Sequence, residues 1–110
     1  MDYAKKFPHI IVEKSANGIT IVKINNPAEL NAFSGTIHRQ VEDVFQDLTD
    51  DPEVRVIILT GEGKAFSAGG NVKDMAQRHG TPEAWERTSK VFYSAKRIIE
   101  NILNCHKPTI

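Results

Sequence analysis

The stretch of sequence that most constrains the fold is an apolar run that leads directly into a glycine-rich segment. Residues Val54–Thr60 are almost continuously apolar, and Gly61–Gly70 then holds four of the chain's 7 glycines. Such a run is typical of a strand covered on both faces, as in a parallel sheet flanked by helices. Where a strand of this kind ends in glycines before a helix, backbone N–H groups can face a ligand.

Two nucleotide-binding motifs fail at this segment. A P-loop needs serine or threonine after the Gly63–Lys64 pair and a glycine where Ile58 stands. The dinucleotide pattern G-x-G-x-x-G matches Gly61 and Gly63, but its third glycine is Phe66. Spacing alone therefore leaves open that these glycines only permit tight turns.

A hairpin is predicted near the start of the chain. His9–Lys14 and Ile19–Ile24 are rich in β-branched residues, and Asn17–Gly18 lies between them. Asn-Gly favours a type I′ turn, which needs a positive φ at both central positions. The Asn25–Pro27 segment ends the second strand, because a residue before proline is disfavoured in helical conformation.

Three helices are predicted from caps and apolar spacing. The first follows Ser34, whose hydroxyl can accept an orphan N–H, and stops at Asp50. Its apolar positions, at helical spacing, are Ile37, Val41, Val44, Phe45 and Leu48. A short second helix begins at Asn71, and the third has Thr81 as cap and Pro82 as its first residue. The third helix runs to about Asn104, and its predicted apolar stripe comprises Trp85, Thr88, Phe92, Ala95, Ile99 and Ile102.

The predicted order is β-β-α-β-α-α-(β), an α/β pattern in which Lys107–Ile110 begins a further strand. The 110 residues suit one small domain, and 14 basic against 14 acidic residues give zero net charge. That balance argues against general nucleic-acid binding. We expect no targeting segment, no membrane span and no metal site. The single cysteine fits a reducing, cytoplasmic location.

Small residues ahead of the second helix suggest a specific use for the glycines. Ser67–Asn71 would let a ligand approach the backbone with no side chain between. The N–H of Gly70 or Asn71 could then stabilise negative charge developing on a carbonyl oxygen. A buried, preorganised donor of this kind contributes about 10²–10³ in rate.

Three segments carry a resemblance to the crotonase (enoyl-CoA hydratase/isomerase) superfamily. Residues 54–75 resemble its first oxyanion-hole segment, and Asn25–Phe33 resembles an earlier family segment with Leu-Asn-Ala after a proline. Lys107–Ile110 resembles the start of the strand leading to the second oxyanion glycine. The resemblance implies the crotonase-like α/β fold, a spiral of β-β-α units. Residues 1–110 are then expected to be the N-terminal portion of a single domain, with no internal boundary.

The resemblance also implies roles for individual residues. Gly70 takes the position whose backbone N–H is one of two thioester oxyanion donors. Asn71 stands where the family commonly has an acid, and we expect the change to be tolerated because asparagine can also cap a helix. Lys73 could reach a coenzyme A phosphate or simply be solvated. The residues implied to line the thioester are Ala68, Gly69, Asn71, Val72 and Lys73, and those on the pantetheine and adenine side are Ala28, Glu29 and Leu30.

The implied activity is that of an acyl-CoA enzyme, with hydration of a trans-2-enoyl-CoA as the leading reaction. Coenzyme A would be part of the substrate rather than a bound cofactor, and the complete protein would be a homotrimer or a dimer of trimers. Trp85, Phe92 and Tyr93 would be core, subunit contact or acyl pocket. No carboxylate here occupies the positions of the family's two catalytic glutamates, so residues 1–110 alone should be inactive. The alternative is a non-catalytic crotonase-like module that binds a ligand, a partner or RNA.

Overall fold

The computed structural model describes all 110 residues of the chain. It contains four α-helices and three strands, and a 3₁₀ turn at Pro27–Glu29 follows the second strand. The helices are α1 (Tyr3–Lys6), α2 (Gly35–Asp50), α3 (Val72–Arg78) and α4 (Glu83–Leu103), and the strands are β1 (Ile10–Lys14), β2 (Ile19–Ile24) and β3 (Val56–Gly61).

The strands form one mixed sheet in the order β1-β2-β3. β1 and β2 are antiparallel, whereas β2 and β3 are parallel, with Ile19 opposite Val56. Thr109 forms a parallel bridge with Ile57, whose N–H donates to Pro108 O at 2.9 Å. The predicted α/β order is thus confirmed, and the further strand predicted from Lys107–Ile110 is present only as this isolated bridge; α1 is an addition that the sequence did not predict.

The hairpin is confirmed, but its predicted turn type is wrong. Gly18 has φ 88°, whereas Asn17 does not have a positive φ. The N–H of Gly18 donates to Ser15 O at 3.1 Å, and Asn17 Oδ1 accepts from the N–H of Ile19 at 3.3 Å. The loop therefore requires the left-handed conformation only at Gly18. The Asn17 side chain accepts the N–H of Ile19, which follows the turn.

The core lies between α2 and one face of the sheet. Ser34 caps α2 as predicted, with its Oγ accepting from Ile37 N–H at 3.4 Å. β2 presents Thr20, Val22 and Ile24 to the helix. The predicted apolar face of α2 is fully buried and comprises Ile37, Val41, Val44, Phe45 and Leu48.

The expectation that β3 is covered on both faces is not met within these residues. Ile57 is fully buried, but its neighbours Ile58 and Leu59 remain partly exposed. A continuous apolar run indicates that both faces of a strand are suited to burial. It does not indicate which residues cover the second face.

The predicted cap of α4 is wrong. Thr81 Oγ1 donates to Arg78 O at 2.7 Å and makes no cap bond to α4, whose N-cap is Pro82. The hydroxyl satisfies a carbonyl at the end of α3 instead.

Most of the apolar stripe predicted for α4 is exposed where it was expected to pack, but its member Ile102 packs against the core, as does the neighbouring Ile98. Trp85 is 77% exposed, Phe92 68% and Ile99 60%. An adjacent face packs on α2 through polar contacts to Glu42, which accepts from Ser94 Oγ at 2.9 Å and pairs with Arg97 at 2.6 Å. The interpretation of Trp85 and Phe92 as core residues is therefore wrong for this chain. No helix is both long enough and apolar enough to cross a membrane.

Candidate active site

The candidate site forms where the loop after β2 meets the loop after β3. Asn31 joins them: it is fully buried and adopts the left-handed conformation at φ 57°. Its Oδ1 accepts from Asn26 N–H at 2.8 Å, and its Nδ2 donates to Glu62 O at 2.9 Å and Ala65 O at 2.8 Å. One side chain thus satisfies three backbone groups and fixes the spacing of the two loops.

A second link sets the orientation of one peptide group. Phe33 and Gly70 form a parallel bridge in which Phe33 N–H donates to Gly69 O at 2.7 Å. The peptide between Gly69 and Gly70 is trans, so its carbonyl and its N–H point in opposite directions. Because the carbonyl is held toward Phe33, the N–H of Gly70 points away from Phe33.

The N–H of Gly70 is the one donor left free among four successive backbone groups. Ala68 N–H donates to Leu30 O at 2.9 Å, and Asn71 N–H donates to Phe33 O at 3.3 Å. Gly69 N–H donates to Ser67 Oγ at 3.1 Å. The sequence left Gly70 and Asn71 as alternative donors, and the hydrogen bonding leaves only Gly70 available. An exposed, oriented and unpaired N–H is a place for an oxygen acceptor.

Asn71 connects this peptide to α3 and to the neighbouring loop. Its Oδ1 accepts from Asp74 N–H at 3.1 Å, which confirms the predicted cap of α3. Its Nδ2 donates to Glu29 Oε2 at 2.6 Å. Glu29 is the only carboxylate in the hydrogen-bond network around Gly70, and it accepts from the side-chain amide of Asn71.

Other predicted site residues border Gly70 without contacting one another through side chains. Leu30 contributes its carbonyl to Ala68 and holds φ 51°. Val72 is 73% exposed at the start of α3, and Lys73 forms no ion pair. The exposed members of the predicted set are Ala28, Glu29, Leu30, Ala68, Gly69, Val72 and Lys73.

Sequence reasoning missed the three residues that build the site rather than line it. Asn31, Phe33 and Ser67 act through contacts between segments more than 30 residues apart. Ser67 Oγ donates to Asn31 O at 2.8 Å and accepts from Gly69 N–H. The one available signal was the asparagine itself, a residue that tolerates left-handed backbone and can bond backbone groups on two sides.

A histidine lies behind the Phe33 bridge. The ring of His38 meets Phe33 edge-on at 5.0 Å between centroids, and its Nδ1 is buried without a partner. Burial lowers the pKa of His38, and the charge of Glu42 opposes that shift. The imidazole of His38 thus packs against Phe33, the residue whose N–H orients the Gly69 carbonyl.

Comparison with known proteins identifies the family to which the sequence belongs. The family model described as Enoyl-CoA hydratase/isomerase matches residues 14–110. Over 67 residues the chain is 39% identical to the probable enoyl-CoA hydratase echA8 of Mycobacterium bovis, and over 58 residues it is 41% identical to the hydroxycinnamoyl-CoA hydratase-lyase of Pseudomonas fluorescens. The first alignment covers 61% of this chain and 26% of the relative, and the second covers 53% and 21%.

Solved structures agree in fold. An enoyl-CoA hydratase/isomerase from Mycobacterium paratuberculosis superposes with a TM-score of 0.78 at 28% identity, over 92% of this chain and 39% of that one. The enoyl-CoA hydratase of Mycobacterium smegmatis gives a TM-score of 0.80 at 26% identity, over 93% of this chain and 38% of that one. The chain thus spans about a quarter of the curated relatives it matches and under half of these structures.

Proposed function

The chain belongs to the enoyl-CoA hydratase/isomerase family, and from that premise we propose that its protein binds an acyl-CoA thioester and polarises the thioester carbonyl at Gly70. The observation that carries the proposal is the free N–H of Gly70, held outward by the bond between Gly69 O and Phe33 N–H. It is supported by the match of the sequence to proteins named as hydratases of coenzyme A thioesters.

In this proposal the reaction gains its stabilisation from charge at the carbonyl oxygen. The leading reaction is hydration of a trans-2-enoyl-CoA: a hydroxide equivalent adds at the β-carbon, and a proton then joins the α-carbon. Between the two steps the electron pair resides on the thioester oxygen, where the Gly70 N–H donates to it. The family resemblance implies a second backbone donor and two glutamates, and no carboxylate of residues 1–110 takes their positions.

Coenzyme A binding is assigned to the two loops that Asn31 joins. The exposed backbone of Ala28, Glu29 and Leu30 offers polar groups to the pantetheine and adenine side, and Val72 offers an apolar contact near the thioester. Lys73, which has no carboxylate partner, is available to a phosphate. We also propose that the protein is a cytoplasmic homo-oligomer, a trimer or a dimer of trimers, and that residues 1–110 form the N-terminal portion of a single domain.

The test is turnover by the full-length protein. We expect hydration of crotonyl-CoA, with isomerisation of a 3-enoyl-CoA as the alternative activity within the family. Isothermal titration with acetyl-CoA measures binding separately from chemistry. Binding without turnover of either substrate would favour the non-catalytic module, and the absence of both would refute the proposed function.

A further inference from the structure

We propose that Glu29 and Asn71 act as a positioning pair that holds the Gly70 N–H at the angle a thioester oxygen requires. This inference rests on the proposed function and deepens it, because it names what sets the geometry of the donor. Neither side chain would touch the reacting atoms.

The pair is a short, charge-assisted hydrogen bond. Asn71 Nδ2 donates to Glu29 Oε2 at 2.6 Å, and Asn71 is only 9% exposed. Bonds to an ionised acceptor are shorter and stronger than neutral ones. Glu29 ends the 3₁₀ turn of the loop after β2, whereas Asn71 directly follows Gly70, so the bond ties the residue after the donor to a loop 42 residues away.

The amide of Asn71 is used at both ends. Its oxygen accepts from Asp74 N–H at 3.1 Å to cap α3, which leaves its nitrogen to donate to Glu29. A carboxylate at position 71 could accept from Asp74 N–H as well, but it could not donate to Glu29. Two carboxylates would then face each other at the distance of a hydrogen bond, and the like charges would repel.

The backbone restraint on the same residue is weaker. Asn71 N–H reaches Phe33 O at 3.3 Å, near the long limit for such a bond. The bond to Glu29 is therefore the shorter of the two tethers on the C-terminal side of Gly70. Without it, the Gly70–Asn71 peptide is held only by the long bond and the cap of α3. Capping of α3 alone would allow an acid at position 71. The bond to Glu29 is what requires an amide there.

The test compares Asn71→Asp with the exchanged pair Glu29→Gln/Asn71→Asp in the full-length protein. The single variant should lower kcat for crotonyl-CoA by about 10- to 100-fold, the range expected from displacing an aligned group by up to about 1 Å. KM should change by less than about threefold. In the exchanged pair, the amide introduced at position 29 would donate to the carboxylate introduced at position 71, and kcat should recover to within about fivefold of wild type. Asp74→Asn removes a neighbouring charge without touching the pair and serves as the control.

Amide hydrogen exchange over residues 67–75 tests the same pair without turnover. Asn71→Asp should speed exchange in this segment, and the exchanged pair should slow it again. A wild-type kcat and wild-type exchange in Asn71→Asp would overturn the inference, as would failure of the exchanged pair to recover both. If the wild-type protein neither binds acetyl-CoA nor turns over, the proposed function fails, while the exchange result still decides whether the pair holds the segment.

Discussion

Asn31 shows how one side chain can determine the spacing of two loops. It is fully buried, and its amide bonds Asn26 N–H, Glu62 O and Ala65 O. Left-handed backbone costs an asparagine less than most residues, because its short polar side chain bonds locally. The position therefore needs both the conformation of an asparagine and an amide that accepts one bond and donates two.

Replacing Asn31 by alanine should lower the free energy of unfolding by about 2–4 kcal/mol, because it leaves one N–H and two carbonyls, all partly buried, without their partner. Urea denaturation measures the change. Asn26→Ala is the matched control in the same loop: the Asn26 side chain makes no cap bond, and its loss should cost less than about 0.5 kcal/mol. Equal losses for the two variants would contradict the role given to Asn31.

At this scale spacing alone predicted a backbone donor but could not choose between neighbours, and only the family resemblance pointed to Gly70. The spacing of Ser67–Asn71 indicated Gly70 or Asn71. The choice depends on Phe33, which lies 37 positions before Gly70 and bonds both sides of it. A contact between segments so far apart leaves no periodic pattern in the sequence.

At the scale of elements, the end of β3 depends on a close approach of backbone. A Cβ at Gly61 would collide with the carbonyl oxygens of Ala65 and Phe66 and would lie 2.7 Å from Asn31 Nδ2. The loop after β3 folds back over its own start, and backbone oxygens cannot move aside as the end of a long side chain can. Gly61 is thus where the strand is joined to the loop that carries the site.

Gly61→Ala should destabilise the protein by about 2–4 kcal/mol through this overpacking. Gly35→Ala provides the control, since a Cβ there meets nothing within 4 Å. Gly35 opens α2, where alanine is the better helix former, so this variant should be neutral or more stable by up to about 1 kcal/mol. Thermal melts of both variants check the contrast, and comparable melting temperatures would refute it.

The helices also show what periodicity can and cannot predict. The apolar positions of α2 were predicted correctly because only one face of that helix is apolar. α4 carries apolar residues on two adjoining faces, and the face with Trp85, Phe92 and Ile99 is the exposed one. The packed face places Ile98 and Ile102 against the core and also bonds Glu42 on α2, and helical spacing contains no information about such a partner.

At the scale of the whole molecule, Asp51 ties the N-terminal helix to the rest of the fold. Its Oδ2 accepts from Tyr3 Oη at 2.6 Å and from Lys14 Nζ at 3.1 Å, and its Oδ1 accepts from Glu53 N–H at 2.9 Å. Burial raises the pKa of Asp51, but the hydrogen bonds from Tyr3, Glu53 N–H and Lys14 outweigh it, so the pKa lies below its usual value.

A carboxyl group whose pKa is lowered by folding stabilises the protein above its unfolded pKa of about 4. That contribution should be lost as the pH falls below about 4 toward the lower folded pKa. Asp51→Asn should reduce stability at pH 7 by about 1–2 kcal/mol and flatten this acid limb. Asp50→Asn, at an exposed neighbour without these bonds, is the control. Unfolding free energies measured between pH 2.5 and 7 would contradict the assignment if both variants kept the wild-type slope.

The exposed apolar face of α4 should affect how residues 1–110 behave when produced alone. Trp85, Phe92, Ile99 and Leu103 are each at least 60% exposed, and large exposed apolar patches favour association. We expect this polypeptide to be poorly stable and to self-associate. Sedimentation velocity should show species that grow with concentration and that decrease in Phe92→Lys. Glu100→Gln changes the net charge equally on another part of the helix and should not decrease them. A monomer with a cooperative melt would refute the expectation.

The peptide between Gly69 and Gly70 has a consequence for how the chemistry of such a protein can change. The proposed donor belongs to the main chain, and its direction is set by another main-chain group, Phe33 N–H. Side chains that do not hold this peptide in place can therefore be exchanged for larger, smaller or differently charged ones without removing the donor, whereas Glu29 and Asn71 are proposed to set its angle. Activation of the carbonyl and choice of acyl group would then be separate problems, and the second could be altered by mutation while the first is retained.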